Sequence, residues 1–189
     1  MRAQQDEHRG SRGVTNFRDR LVYDAEQGEY RDGDIRYMMI RPDALMGMIA
    51  ELREDMRPLA LEAFARAIHR FGGRSARVYQ AAGAADSAAL LDVIQQTAPQ
   101  LGWGCWGLER ITDGLVLTVQ NSPFATAAAR SPYPVCAPIR GMLTAVGELV
   151  LGEAVMVTET ACAATGASCC RFSVSRAAPR RAAVAAPSR

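Results

Sequence analysis

The pattern of hydrophobic and polar residues predicts two consecutive helices in the first half of the chain. Apolar residues recur at helical spacing between positions 45 and 56, directly after Pro42, and proline suits the first position of a helix. A second helix is predicted to begin at Pro58 and to stop at the Gly72-Gly73 pair, because glycine disfavours a helix interior. The first third of the chain is therefore expected to be mainly helical.

After residue 86 the pattern alternates between helical and strand periods. Residues with apolar side chains first recur every three or four positions, then in short runs typical of strands, and then at helical spacing again. The turn Thr112-Asp113-Gly114 is a hairpin signal. The predicted elements are a helix from Asp86 or Ser87 to just before Pro99, strands Cys105–Ile111 and Leu115–Gln120, and a helix Pro138–Val150.

Two further strand pairs complete the prediction. Leu21–Tyr23 and Ile35–Ile40 are expected to pair near the N-terminus, and Ala154–Thr158 and Arg171–Ser175 near the C-terminus. Hairpins of antiparallel strands packed with about four helices make an α+β fold. The expected organisation is a flexible segment 1–16, one folded domain 17–176 and a flexible Arg/Ala/Pro tail 177–189.

The amino-acid composition excludes some classes of active site and of binding partner. The chain has 189 residues, of which 49% are hydrophobic, as in an ordinary globular domain. It contains no lysine, which excludes Schiff-base chemistry and a phosphate-binding lysine loop. Residues 21–175 hold 13 arginines against 17 acidic residues, while both tails are basic. A mildly acidic body argues against a nucleic-acid partner.

The sequence also bears on location. The N-terminal residues lack the apolar stretch of a signal peptide, and the most apolar segment, Gly141–Leu151, is too short for a membrane span and contains Glu148. A cytoplasmic protein is therefore expected. In a reducing compartment, its five cysteines favour buried thiols, metal ligands or a reactive thiolate over disulfides.

Four residues form a candidate metal site: Cys136, Glu159, Cys162 and Cys170. The last three have the spacing E-x2-C-x7-C, across a segment of small residues that can wrap around an ion. Thiolates and carboxylates are zinc ligands, and four protein ligands make a closed, structural site. The alternative is that these cysteines are small core residues, which is also the interpretation preferred for Cys105.

The segment ETACAATGASCCRFSV, together with the upstream PVC and the opening RPDALMGM, resembles the 4-vinyl reductase domain family. The resemblance covers about residues 17–175. The family takes its name from bacteriochlorophyll synthesis, and it includes the sensory domains of aromatic-responsive transcriptional activators. Its fold is shared with TRAPP vesicle-tethering subunits. The resemblance implies a zinc ion at the four candidate ligands.

The family resemblance further implies a cavity between helices and sheet for a hydrophobic small molecule. Apolar side chains in this sequence suit such a pocket, although they could equally form the core. Arg140 stands where the sensors usually carry an aromatic residue, so it could meet a ligand carboxylate or face solvent. The candidate lining residues are Tyr79, Trp103, Trp106, Phe124 and Arg140, with Met38, Met39, Met46 and Met48.

Related domains pair through helices, which implies a homodimer. The expected interface is the helix Arg41–Asp55, with Met46 or Met48 near the two-fold axis. A partner protein that receives the ligand is a further candidate partner.

Catalytic residues are not expected. No G-x-G-x-x-G follows a predicted strand, so a hydride donor has no recognisable site, and two histidines leave little room for a Ser-His-Asp set. The favoured function is a zinc-stabilised binding or carrier domain for a hydrophobic, aromatic or tetrapyrrole-like molecule, without catalysis of its own. The alternative is a bacteriochlorophyll-biosynthesis factor that carries out or assists reduction of a vinyl group.

Overall fold

Six helices and seven strands make up residues 16–81 and 86–178, the part of the chain that the computed structural model describes; for residues 79–81 only the backbone is described. Most of the two tails expected to be flexible lies outside these residues. The helices are α1 Phe17–Arg20, α2 Pro42–Ala50, α3 Arg57–Ala81, α4 Ser87–Gln100, α5 Pro123–Ala127 and α6 Ala137–Leu151. The strands are β1 Val22–Asp24, β2 Glu29–Asp32, β3 Ile35–Tyr37, β4 Cys105–Ile111, β5 Gly114–Gln120, β6 Val155–Ala161 and β7 Cys170–Arg176.

The strands form two antiparallel sheets. A three-stranded sheet has the order β1-β2-β3, and a four-stranded sheet has the order β4-β5-β7-β6. The predicted α+β class is therefore confirmed. The predicted direct pairing of Leu21–Tyr23 with Ile35–Ile40 is wrong, because β2 lies between the two strands and pairs with both. Gly28 and Gly33 adopt positive φ and allow the two tight turns that accommodate this extra strand.

The core lies between the four-stranded sheet and α6. Alternate residues of β5 and β7 are fully buried on one face of the sheet, as the two-residue period of a strand requires. Helix α6 packs against β5, β6 and β7. The central side chains are Leu115, Leu117, Val119, Phe172 and Val174 of the sheet, and Ile139, Leu143 and Val146 of the helix.

Helix α3 continues through Gly72-Gly73, so the predicted stop at this pair is wrong. The two glycines face α6: a Cβ atom at Gly72 would lie 2.7 Å from Met142 Cε, and one at Gly73 would lie 3.0 Å from Ala145 Cβ. The pair therefore serves close helix packing. Packing against α6 outweighs the local cost of glycine in the helix.

Helices α4 and α5 begin at residues whose side chains cap them. Asp86 caps α4 by accepting a hydrogen bond from the Ala89 N–H at 2.8 Å. This helix runs through Pro99 and ends at Gln100, two residues beyond the predicted end. Ser122 caps the short helix α5, which the sequence pattern did not predict. None of the helices within the described residues is long and apolar enough to cross a membrane.

Candidate metal centre and adjoining cleft

The four predicted ligands converge at one edge of the four-stranded sheet. Cys136 directly precedes α6, Glu159 lies on β6, Cys162 follows the end of β6, and Cys170 begins β7. One ligand atom from each residue can be chosen so that all lie within 4.8 Å of one another. The three cysteines are fully buried.

A register shift brings the residues of β6 into this arrangement. Glu159 pairs with Phe172 but Ala161 pairs with Arg171, so Thr160 is an extra residue in β6, as in a β-bulge. Beyond the strand, a 3₁₀ turn and the positive φ of Gly166 reverse the chain towards β7. The small residues of this loop let the backbone pass close around the thiols.

The thiols contact one another and nearby polar groups. Cys136 Sγ lies 3.5 Å from Cys170 Sγ and 3.9 Å from Cys162 Sγ. Ser122 Oγ lies 3.2 Å from Cys136 Sγ, and the Ala163 N–H donates to Cys170 Sγ at 3.3 Å. Three sulfur atoms at these distances with hydrogen-bonded surroundings form a preorganised donor set.

Glu159 is the fourth member of the cluster, and one of its two carboxylate oxygens is available to bind a cation. Its Oε2 accepts a hydrogen bond from the Cys136 N–H at 3.0 Å. Its Oε1 is buried and has no hydrogen-bond partner among the described residues. Burial raises the pKa of Glu159 to about 8, helped by the neighbouring Cys162 thiol. A buried carboxylate oxygen without a partner is costly, and a cation at the centre of the cluster would satisfy it.

The protonation of the cysteine thiols also indicates that the cluster needs a cation. Hydrogen bonds from Cys136 and Cys162 lower the pKa of Cys170, and the pKa of Cys136 is raised correspondingly. The cluster therefore holds one negative charge readily and resists further ionisation, because each added thiolate would repel the others. The donor set fits a metal ion, whose positive charge would allow all four groups to ionise. With every ligand supplied by the protein, such an ion would have a structural role.

An open cleft adjoins the metal centre. It has a volume of about 440 Å³, within the usual size range of small-molecule sites. Its wall is mainly apolar, and its polar side chains include Arg140 of α6 and Glu159. The remaining lining residues are Pro58, Leu61, Glu62, Tyr133, Pro134, Ala137, Val157 and Thr158. A second cavity, beside α2 and lined in part by Met46, has only about 120 Å³.

Arg140 forms an ion pair with Glu62 of α3 across the cleft wall. Both side chains are partly exposed, so solvent screens the pair. The local sequence gives no sign that Glu62 pairs with Arg140, because the two residues are 78 positions apart. The Ser-Pro pair that places Ser122 beside Cys136 is by contrast a helix-start signal that sequence inspection could have found.

The predicted aromatic lining lies elsewhere. Trp106 is buried in the core, and its indole N–H donates to the Trp103 carbonyl oxygen at 3.1 Å. Phe124 packs edge-to-face against Trp103 and Phe64, with ring centroids 5.4 and 6.3 Å apart. None of these residues lines either of the two cavities described above. The side chain of Tyr79 lies outside the described residues.

The predicted methionines separate into two groups. Met46 is buried in the core and borders the small cavity. Met38, Met39 and Met48 are exposed to solvent. The structure therefore does not bring the four methionines together around one cavity.

The stretch that carries the four candidate ligands also matches a family model. Residues 115–176, which contain all four candidate ligands, match the family model of the 4-vinyl reductase domain. Over these residues, about a third of the chain, the sequence resembles that family. The resemblance drawn from the sequence is thereby confirmed. No curated protein sequence matches the chain significantly.

Solved structures extend the similarity beyond the stretch that matches the family model. The phenol-responsive sensory domain of the transcription activator PoxR, solved with phenol, is 18% identical with a TM-score of 0.72, over 84% of this chain and 86% of that one. A trafficking protein particle complex subunit 3 from Naegleria fowleri, covalently bound to palmitic acid, is 13% identical with a TM-score of 0.51, over 71% and 93%. A vinyl-4-reductase family protein from Methanocaldococcus jannaschii is 13% identical with a TM-score of 0.47, over 72% and 91%. The first two likenesses show that this chain has the fold expected from the resemblance.

Proposed function

We propose that this chain is a zinc-stabilised module that binds a hydrophobic small molecule and catalyses no reaction by itself. The observation that carries the proposal is the cleft of about 440 Å³ whose wall includes Glu159 of the Cys₃Glu cluster. The metal centre holds together α6, β6 and β7, which all contribute to the cluster or to the cleft. Metal binding would thus fix the shape of the binding site.

Zinc is the metal that the donor set suits best. Three thiolates are soft ligands that disfavour magnesium and calcium, and zinc accepts both thiolate and carboxylate in a tetrahedral site. The four ligand atoms lie within 4.8 Å of one another, and Glu159 Oε1 has no hydrogen-bond partner among the described residues. Cys136, Glu159, Cys162 and Cys170 would hold the ion.

The cleft defines the class of ligand. Its apolar residues favour a hydrophobic molecule, and Arg140 offers a guanidinium to an anionic or hydroxyl group. The same guanidinium pairs with Glu62, so a ligand carboxylate has to compete with that partner. Proteins of similar fold have been solved with phenol and with palmitic acid, which supports a hydrophobic ligand in this fold.

The experiment combines native mass spectrometry with fluorescence titration. Purified protein is expected to carry one zinc ion per chain, and phenol, benzoate and a short fatty acid are titrated as probes. Trp103 is partly buried near Phe124, so its emission reports changes in packing. Arg140→Leu is expected to weaken benzoate binding at least about tenfold and phenol binding much less, because only benzoate carries a full charge. Arg110→Leu, an exposed arginine on β4, is the matched control.

Two results would contradict the proposal. One is the absence of saturable binding for every hydrophobic probe in metal-loaded protein. The other is product formation when the pure protein is incubated with a divinyl chlorophyllide precursor and NADPH, which would favour the alternative role in pigment synthesis. A carrier role additionally requires a partner protein that accepts the ligand.

A homodimer is part of the proposal, with two changes to the expected interface. The expected helix Arg41–Asp55 is shorter in the structure, where it ends at Ala50. Met46 cannot lie at a two-fold axis, because it is only 3% exposed within a single chain. Met48, on the outer face of α2, is 60% exposed and can take that place. Exposed Met38 and Met39 precede the same helix and add apolar surface next to it.

A further inference from the structure

The outward face of α3 carries a row of four arginines. Arg66, Arg70, Arg74 and Arg77 are spaced by four, four and three residues, which places them on one side of the helix. All four are exposed. With a rise of 1.5 Å per residue, the row extends for about 16 Å along the helix axis. We call these four residues the arginine row.

Most of the row lacks acidic partners. Only Arg66 has one among the described residues, Glu62 at 3.7 Å, and Glu62 is already paired with Arg140. No described acidic side chain forms an ion pair with Arg70, Arg74 or Arg77. From residue 63 to residue 81, helix α3 contains no acidic residue at all.

An aromatic side chain is part of the same surface. The guanidinium carbons of Arg70 and Arg74 lie 5.3 and 5.4 Å from the ring centroid of Phe71, within the range of cation–π contacts. Phe71 is 55% exposed. Val78, about two helical turns further along α3, is exposed to a similar extent. The contacts orient two of the four guanidinium groups beside a small apolar patch.

The row opposes helix formation. Like charges three or four residues apart on a helix repel each other, and each neighbouring pair in the row has this spacing. The concentration of charge is also local, since residues 21–175 together carry 13 arginines against 17 acidic residues. A basic stripe on an acidic body is an electrostatic pattern that complements an acidic surface of similar length.

We propose that the arginine row is a docking surface for an acidic helix of a partner protein. Carboxylates spaced by four, four and three residues on such a helix would meet the four guanidinium groups in turn, each through charge-assisted hydrogen bonds. Ala63 and Ala67, also exposed on this side of α3, are small enough to let a second helix approach closely. Phe71 and Val78 would pack against apolar residues at the edge of the partner helix.

Other anionic partners fit less well. A nucleic acid longer than the row would extend over a body whose net charge is negative. Phe71, the exposed aromatic residue beside the row, is already engaged by two guanidinium groups and is a poor platform for base stacking. Insertion into a membrane would need the apolar face of α3, which is packed against α6.

The test uses a labelled helical peptide with four glutamates in the matching register. Its control is a peptide of the same composition whose glutamates face different sides of the helix. Binding to the full chain is followed by fluorescence anisotropy at low and moderate salt. The variant Arg70→Glu/Arg74→Glu is compared with Arg36→Glu/Arg53→Glu, which changes the charge equally at exposed sites away from α3.

The in-register peptide is expected to bind at least about tenfold more tightly than its control. Arg70→Glu/Arg74→Glu is expected to abolish this preference, while Arg36→Glu/Arg53→Glu retains it. The inference is overturned if both peptides bind equally, or if both double variants weaken binding alike. It is also overturned if a single-stranded 20-mer DNA, or vesicles of phosphatidylcholine with 30% phosphatidylserine, bind more tightly than the peptide through the same arginines. None of these outcomes depends on the metal or on the small molecule, so they test this surface separately from the proposed function.

Discussion

Gly141 of α6 faces Ala65 of α3 so closely that a Cβ atom at position 141 would overlap the Ala65 carbonyl oxygen. The overlapping atom belongs to the backbone, so no side-chain rotation can relieve it. Together with Gly72 and Gly73, this residue sets the distance between the two longest helices of the described structure. The same two helices supply Glu62 and Arg140 to the cleft.

Gly141→Ala is expected to lower the free energy of unfolding by about 3 kcal/mol, because the helices must separate or shift to admit one methyl group. Urea denaturation measures the change. Gly47→Ala is the matched control: it is also in a helix, but its Cβ would meet no atom within 4 Å. This control is expected to be neutral or stabilising by up to about 1 kcal/mol. Equal effects of the two substitutions would contradict the packing argument.

Cys162→Ser is expected to remove stoichiometric metal and to lower the melting temperature by about 10 °C or more. Loss of one thiolate from a four-ligand site weakens metal binding, and with it the stability that binding adds to the folded state. Elemental analysis and thermal unfolding measure the two effects. Cys105, expected to be a core residue, is instead exposed. Cys105→Ser therefore changes a thiol outside the cluster and is expected to leave the metal content and the melting temperature unchanged. Metal-free protein purified without chelators would argue against the site.

Zinc affinity is expected to fall as the pH falls below about 8. In the metal-free protein the pKa of Glu159 is raised to about 8 and that of Cys136 is also raised, so both hold protons at neutral pH and must release them when the ion binds. Release of at least these two protons weakens binding at least about 100-fold for each unit of decrease in pH. Calorimetry in buffers of different ionisation enthalpy counts the protons.

Glu159→Gln separates the contribution of the carboxyl group. This variant keeps the shape of the side chain but has no proton to release, so it is expected to liberate one proton fewer for each ion bound. An affinity for zinc that does not change between pH 6 and pH 8 would contradict the proposed roles of Cys136 and Glu159.

Met48→Arg is expected to convert the proposed homodimer into a monomer, because a charge on the outer face of α2 would be buried at the interface without a partner. Light scattering at micromolar concentration measures the mass. Met156→Arg is the matched control, since Met156 on β6 is exposed to the same degree. If the unmodified protein is already a monomer, the proposed homodimer is wrong. If Met156→Arg alone dissociates it, the interface is elsewhere.

Local signals predicted most of the elements. The strand pair β4–β5 and helix α6 lie within a residue or so of their predicted bounds, because a turn signal and a regular apolar stripe mark them. The glycine pair in α3 misled the prediction for a physical reason. Whether Gly72-Gly73 ends a helix or fits against another helix depends on Ala145 and Met142, which lie about seventy positions away.

In the candidate site, too, local sequence predicted some features, while others depend on residues far apart in the chain. The spacing of Glu159, Cys162 and Cys170, with the family resemblance, was sufficient to predict the four residues that converge. The ion pair of the cleft was not predictable, because it joins Glu62 to Arg140 across two helices, although Arg140 was among the residues predicted to line a pocket. Trp103 and Trp106 were predicted to line it from their chemistry alone, yet the structure places them beside Phe124 and in the core.

The extra residue in β6 makes the metal centre sensitive to a change in length. Deleting Thr160 would keep every ligand in the sequence and leave the rest of the strand intact. The pairing of Ala161 with Arg171 would survive, but the local bend and twist that the bulge gives β6 would be lost, and with them the directions in which the Glu159 and Cys162 side chains project. A homologue that lacks this one residue could therefore retain three cysteines and a glutamate without being able to assemble them. Counting ligands in an alignment is then insufficient, and the number of residues between Glu159 and Cys162 has to be counted as well.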